Sequence, residues 1–124
     1  MSERAKDLIE RTFKFAQAVR RFVNHLPRLL SNHEDARQLV RSSGSVAANY
    51  IESQEGVSRK DFFFRVKICR KECRESITWL RLLETEDNPP LDAERETLVR
   101  EANELLRIFS SIASKDDSSS PAAS

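Results

Sequence analysis

Lys60, Lys67, Lys71, Arg74 and Arg81 fall at offsets of 0, 7, 11, 14 and 21 residues, which on a helix is one straight stripe of positive charge. Arg20, Arg21 and Arg28 form a second basic cluster nearer the N-terminus. Stripes of Lys and Arg bind nucleic-acid backbones by releasing condensed counterions, so these eight side chains are the candidate phosphate contacts. The same stripe would also serve as a solvated face paired with acidic residues elsewhere in the chain. Opposing charge is available. The net charge is only +1, but residues 57–83 carry eight basic and three acidic side chains, whereas residues 84–124 carry four and ten.

Other reactive residue types are sparse. Cys69 and Cys73 are the only cysteines, one helical turn apart. A disulfide between them has poor geometry, and a metal site would need two further ligands. The only histidines, His25 and His33, lie in other segments, so buried, inert thiols are expected. No nucleophile paired with a base, carboxylate dyad, phosphate loop or metal quartet is legible, and no Glu-x-x-His pair of the di-iron bundle type occurs. We expect no catalytic residue, metal, cofactor or small-molecule substrate. A pocket holding Asn49, Glu52 and Arg70 around a small molecule would reopen the enzymatic reading.

The elements that must carry these residues read as helices throughout. The chain has 124 residues, 39% hydrophobic and 33% charged, with two Gly and four Pro. That is one domain's worth of chain and too little turn chemistry for strand architectures. A first helix spans about Arg4 to His25, with Leu8, Thr12, Phe15, Val19, Phe22 and Leu26 in its stripe, widened by Ile9, Phe13, Ala16 and Val23. Pro27 closes it.

A second helix is expected to start at Asn32 as N-cap, with Glu34 and Asp35 in its first turn, and to stop at Gly56. Ala36, Leu39, Val40, Ser43, Ala47, Tyr50 and Ile51 would share one side. Ser43, Gly44, Ala47 and Ala48 are small residues spaced for close helix approach. The third helix opens at Ser58 with Asp61 three residues on, and its seam is Phe62, Val66, Cys69, Cys73, Leu80 and Leu83. Asp87-Asn88-Pro89-Pro90 breaks it. A fourth helix starts at Asp92 with Leu98, Ala102, Leu105, Phe109 and Ile112 inward. The expected fold is an all-α, antiparallel up-down four-helix bundle over residues 1–114, with a disordered polar tail at 115–124.

Phe62, Phe63 and Phe64 are consecutive, and successive helix positions point about 100° apart, so the three rings cannot all enter one monomer core. Ile68, Ile77, Trp79 and Leu82 also fall off the seam. A helix greasy on several sides is buried on several sides. We take Phe62, Phe63, Phe64, Ile68 and Trp79 as a candidate self-association surface, with a helix wrapped by its own bundle as the other reading.

The N-terminus carries four charges in its first seven residues, and the longest charge-free stretch of the body, Ser42 to Ile51, is ten residues. Neither a secretory signal nor a membrane span is legible, and we expect a cytoplasmic protein with reduced thiols.

Gln38-Leu39-Val40-Arg41-Ser42-Ser43, then Ser45-Val46-Ala47-Ala48-Asn49-Tyr50-Ile51-Glu52, then Ser58-Arg59-Lys60-Asp61-Phe62 resembles a bacterial four-helix-bundle family. Its founding members are encoded by intervening sequences within large-subunit ribosomal RNA genes. The family pattern runs Gln, a basic pair, Ser-Ile-Pro-Ser-Asn-Ile-Ala-Glu-Gly, then Ser-Lys-x-Glu-Phe. A later Ala-Arg-Gly-Ser-x-x-Glu is matched at Arg70 and Glu75. The chain departs from the pattern at Ala48 (Pro), Ser53 (Gly), Asp61 (Glu) and the Gly-Ser pair. The resemblance implies a bundle that assembles into rings, best known as pentamers. It also implies Asn49, Glu52, Arg70 and Glu75 as a polar motif set. A similar bundle is the accessory protein of the reverse transcriptase of diversity-generating retroelements, where a basic pentamer binds nucleic acid and the enzyme. The expected function is a non-enzymatic oligomeric scaffold that binds RNA or a nucleoprotein. The alternative is a pure protein–protein scaffold, in which the basic stripe meets the acidic fourth helix across subunits.

Overall fold

The computed structural model describes residues 1–56 and 58–116 and consists of four helices: α1 (Glu3–Val23), α2 (Leu30–Ser53), α3 (Arg59–Leu82) and α4 (Pro89–Ala113). No strand occurs among the described residues. The short connections make neighbours antiparallel. In the bundle α1 packs on α2 and α4, and α3 packs on α2 and α4. The backbones of diagonal helices do not approach, but Tyr50 and Phe109 meet across the diagonal with ring centroids 5.7 Å apart. Phe22, Leu39, Val46, Val66, Leu80, Leu105 and Phe109 are fully buried at the centre. Each such large side chain contributes about 1.5–3 kcal/mol by leaving water.

Local chemistry explains most of the helix ends. Ser2 caps α1 by accepting from the Ala5 N–H at 3.1 Å, and Ser58 caps α3 by accepting from the Asp61 N–H at 2.9 Å. Pro89 and Pro90 open α4 behind the N-cap Asn88, rather than separating two helices. Proline suits a first turn, whose N–H groups have no intrahelical partner. The helix therefore begins three residues before the expected Asp92. Arg95 of α4 donates to the carbonyls of Leu83 and, at 3.4 Å, Leu80, satisfying the end of α3. Glu86 and Asp87, at φ 55° and 57°, turn the chain between them.

The start of α2 differs from expectation. The helix begins at Leu30 behind Leu29, which makes no side-chain cap, and no acidic residue stands in its first turn. Asn32, expected as the N-cap, is inside the helix and buried. The buried side of α2 is Leu39, Ser42, Ser43, Val46, Tyr50 and Ser53, so Ile51 turns outward. Phe13 is likewise exposed on α1, because the polar Thr12 takes the inward place beside it and satisfies its hydroxyl on the carbonyls of Leu8 and Ile9. Gly44 leaves room for a side chain rather than for a backbone. A Cβ there would lie 3.1 Å from the guanidinium of Arg20, which donates to the Ala16 carbonyl at 2.9 Å and to the Val40 carbonyl at 3.4 Å. Arg20 thus straps α1 to α2.

Of the polar tail, Lys115 and Asp116 are placed, and the Asp116 carboxylate accepts from Lys67 Nζ at 2.7 Å. The remainder of that expected disordered segment lies outside the described residues.

Candidate functional site

On α3 the buried residues Phe63, Val66, Cys69, Glu72, Cys73, Ser76 and Leu80 define the inward side, and the cationic stripe lies opposite. Lys60, Lys71, Arg74 and Arg81 are exposed. Lys60, Arg74 and Arg81 make no ion pair among the described residues, and Lys71 lies 3.9 Å from Glu75 in a pair exposed enough to be weak. Lys67 is the exception. It is half-buried and bound to Asp116, three residues beyond the end of α4.

Arg20, Arg21 and Arg28 are exposed as well, but they stand on α1 and the α1–α2 connection. Since α1 and α3 are diagonal, the eight cations occupy two separate surfaces rather than one. Arg20 is in addition engaged as the α1–α2 strap.

The polar motif residues assemble only in part. Asn49 donates through Nδ2 to the carbonyl and hydroxyl of Ser45, at 3.0 and 2.9 Å, and its Oδ1 accepts from Arg65 at 3.1 Å. Arg65 is also 3.8 Å from Asp61. Glu52 is exposed, and neither its side chain nor that of Arg70 makes a hydrogen bond or ion pair among the described residues. The reason is angular. Arg70 lies five positions beyond Arg65, about 140° around the helix and away from α2, whereas Glu72 lies seven beyond and falls on the same side.

Glu72 and Glu75 complete the network with Arg41, whose guanidinium is 3.5 Å from Glu72 and 3.7 Å from Glu75. Glu72 is buried. Burial pushes its carboxyl above the ordinary carboxylate range; a hydrogen bond to Glu75 and that residue's charge add to this, against the pull of Arg41 and Ser45. One turn along, the hydroxyls of Ser42 and Ser76 meet at 2.7 Å inside the seam. Arg41, Arg65 and Glu72 were not singled out from the sequence as network members. Their signal was the i,i+4 pair Asp61–Arg65 and the seven-residue step from Arg65 to Glu72. The network joins α2 to α3 through Asn49 and Arg65 and through Arg41, Glu72 and Glu75, with Glu52 and Arg70 outside it.

Of the candidate self-association residues, Phe63 belongs to the monomer's own core, stacked edge-on with Phe62 at 5.1 Å and covered by the Arg59 guanidinium. Phe62 is half-buried against the core. Phe64 is 58% exposed, as three consecutive rings require. Ile68 and Trp79 are half-buried, and Trp79 Nε1 is buried with no hydrogen-bond partner among the described residues. Leu82, also 58% exposed, extends this apolar band beside the cationic stripe.

Both cysteines are fully buried free thiols. Burial pushes the Cys69 thiol up to about 12 and raises Cys73 as well. Among the described residues no group of three or more His, Cys, Asp or Glu could hold a metal ion, and no helix is long and apolar enough to cross a membrane.

No curated protein matches the chain. Among solved structures, the chain is similar to a protein of unknown function from the S23 ribosomal protein family of Bacteroides thetaiotaomicron VPI-5482. The two are 24% identical with a TM-score of 0.74, over 90% of this chain and 98% of that one, which speaks for the fold. The family model of the 23S rRNA-intervening sequence protein matches residues 4–111, nearly the whole of the four helices, in agreement with the resemblance carried by the α2 and α3 motifs. The chain belongs to the 23S rRNA-intervening sequence protein family.

Proposed function

We propose that this chain is a non-enzymatic helical scaffold of the cytoplasm that binds RNA or a ribonucleoprotein through phosphate contacts along α3. The supporting observation is the exposed row of Lys60, Lys71, Arg74 and Arg81, three of which have no ion-pair partner among the described residues. Unneutralised cations in one line gain most by meeting a polyanion, since each contact releases a counterion. The row carries no base-reading geometry, so the binding is tolerant of sequence. The test is fluorescence anisotropy of a labelled structured RNA across a salt series. Charge reversal at Lys71, Arg74 and Arg81 is expected to weaken binding and to flatten the log–log salt slope by about one for each contact removed. An unchanged slope would overturn the reading.

The band of Phe64, Ile68, Trp79 and Leu82 supports a second element of the proposal, a homo-oligomer with a ring, such as a pentamer, as its form. Half a row of exposed or half-buried apolar side chains, including an unpartnered indole N–H, is costly in a monomer and useful in an interface. Phe64→Asp is expected to give a smaller species by light scattering. Should RNA binding fail while this change reduces the mass, the protein-interaction scaffold is the better reading.

A further inference from the structure

Where α1 gives way to α2, a cavity of about 790 Å³ opens between the two helices, on a surface separate from the α3 stripe. Its lining joins two chemistries. Leu26, Leu29 and Val40 contribute apolar surface, and Leu30 at the same place is 82% exposed, a large aliphatic side chain the fold itself does not use. Arg28, Arg37 and Arg41 contribute charge, and no acidic side chain lines the cavity. Arg41 is engaged by Glu72 and Glu75. Arg37 is only 4.0 Å from Glu34 in a well-exposed pair worth little, and Arg28 has no ion pair among the described residues. The first turn of α2 reaches the same cavity without a side-chain cap or an acidic residue, so its dipole adds to the positive potential.

We propose that this groove receives an acidic amphipathic helix of a protein partner. Its aliphatic ridge would lie between α1 and α2 against Leu26, Leu29, Leu30 and Val40, and carboxylates along its edge would meet Arg28 and Arg37. Charge complementarity sets the sign of the partner, and the apolar lining sets its class. A sugar–phosphate chain has no use for exposed leucine, and no Phe, Tyr or Trp lines the cavity among the described residues as a platform for bases; the one ring in the lining is the His33 imidazole. A helix with leucines at i, i+4 spacing offers the ridge that a groove between two helices accepts.

The probe is a labelled peptide of about 14 residues, four helical turns, with leucines on one face and glutamates elsewhere. Its counterparts carry lysine for glutamate, or serine for leucine. Anisotropy titrations use the full chain and the exposed-site variants Arg28→Glu, Arg37→Glu and Leu30→Ser, with circular dichroism melts showing that each variant still folds. The glutamate–leucine peptide is expected to bind, and each variant and each counterpart peptide to weaken binding about tenfold or more. Lys71 and Arg74 reversals should leave it unchanged, which separates this groove from the α3 reading. Equal binding of the glutamate and lysine peptides, or indifference to all three variants, would overturn the proposal. So would an RNA oligonucleotide that binds in a manner sensitive to Arg28→Glu while the peptide does not, or self-association lost in Arg37→Glu without peptide binding.

Discussion

Asn32 holds the backbone of Glu84 by both ends of its amide: Nδ2 donates to the Glu84 carbonyl at 2.9 Å, and Oδ1 accepts from the Glu84 N–H at 2.9 Å. The same Nδ2 donates to the Pro27 carbonyl at 3.0 Å. One buried side chain thereby ties the α1–α2 connection to the α3–α4 connection and closes one end of the bundle.

Replacing Asn32 by Asp keeps the shape and removes the donor, leaving two part-buried carbonyls facing a carboxylate. The expected cost is about 3 kcal/mol, the sum of lost hydrogen bonds and desolvated, unpaired groups. Urea denaturation should show a lower midpoint with an unchanged slope. A loss under about 0.5 kcal/mol, the range of an ordinary surface change, would contradict the tie.

Glu72 makes stability depend on pH in a definite direction. Its carboxyl titrates above the ordinary 4.5 in the folded chain, so between 4.5 and its folded value it is neutral when folded and ionised when unfolded. The unfolded chain then binds fewer protons, and the contribution of this group is full below 4.5 and declines as pH rises through the folded value. Glu72→Gln deletes that dependence. The melting temperature of the variant relative to the parent is expected to climb from pH 4.5 upward; a difference flat in pH would exclude the effect.

Cys69 and Cys73 should resist thiol reagents. Only the thiolate reacts, and burial both holds Cys69 up at about 12, with Cys73 raised too, and denies access. In the native protein at pH 8, neither should be labelled by a maleimide over hours, and both should be labelled on unfolding in urea. Rapid native labelling would mean that the α2–α3 seam opens readily.

The helical content, the order of the helices and most of the core were legible because they follow from local rules. Leu8, Phe15, Val19 and Phe22 repeat at helical spacing, Ser58 is a cap in any context, and the Phe62–Phe64 triplet forces one ring outward whatever surrounds it. The α2 and α3 motifs carried the family. Less legible were the polar contacts. Asn32 looks like a cap and is a tie, because its partners, Pro27 and Glu84, come from two different connections. Gly44 looks like a site of close helix approach and is the space beneath Arg20. Arg70 matches a family motif, yet Arg65 and Glu72 make the contacts, since only the rotation of α3 against α2 decides which polar side chains meet.

The sequence by itself determined that this chain is an all-α bundle, where the apolar stripes lie, and that one helix carries a straight row of cations, because periodicity and capping act within a few residues. Tertiary structure alone decided that α1 and α3 stand diagonal, so that the two basic clusters became two surfaces. It also decided that Lys67 is paired to Asp116 while Arg74 and Arg81 have no ion pair among the described residues, and that an apolar, cation-lined groove opens between α1 and α2. Those outcomes depend on how whole helices rotate and pair, and that is set by burying all the stripes at once, a condition no single segment contains.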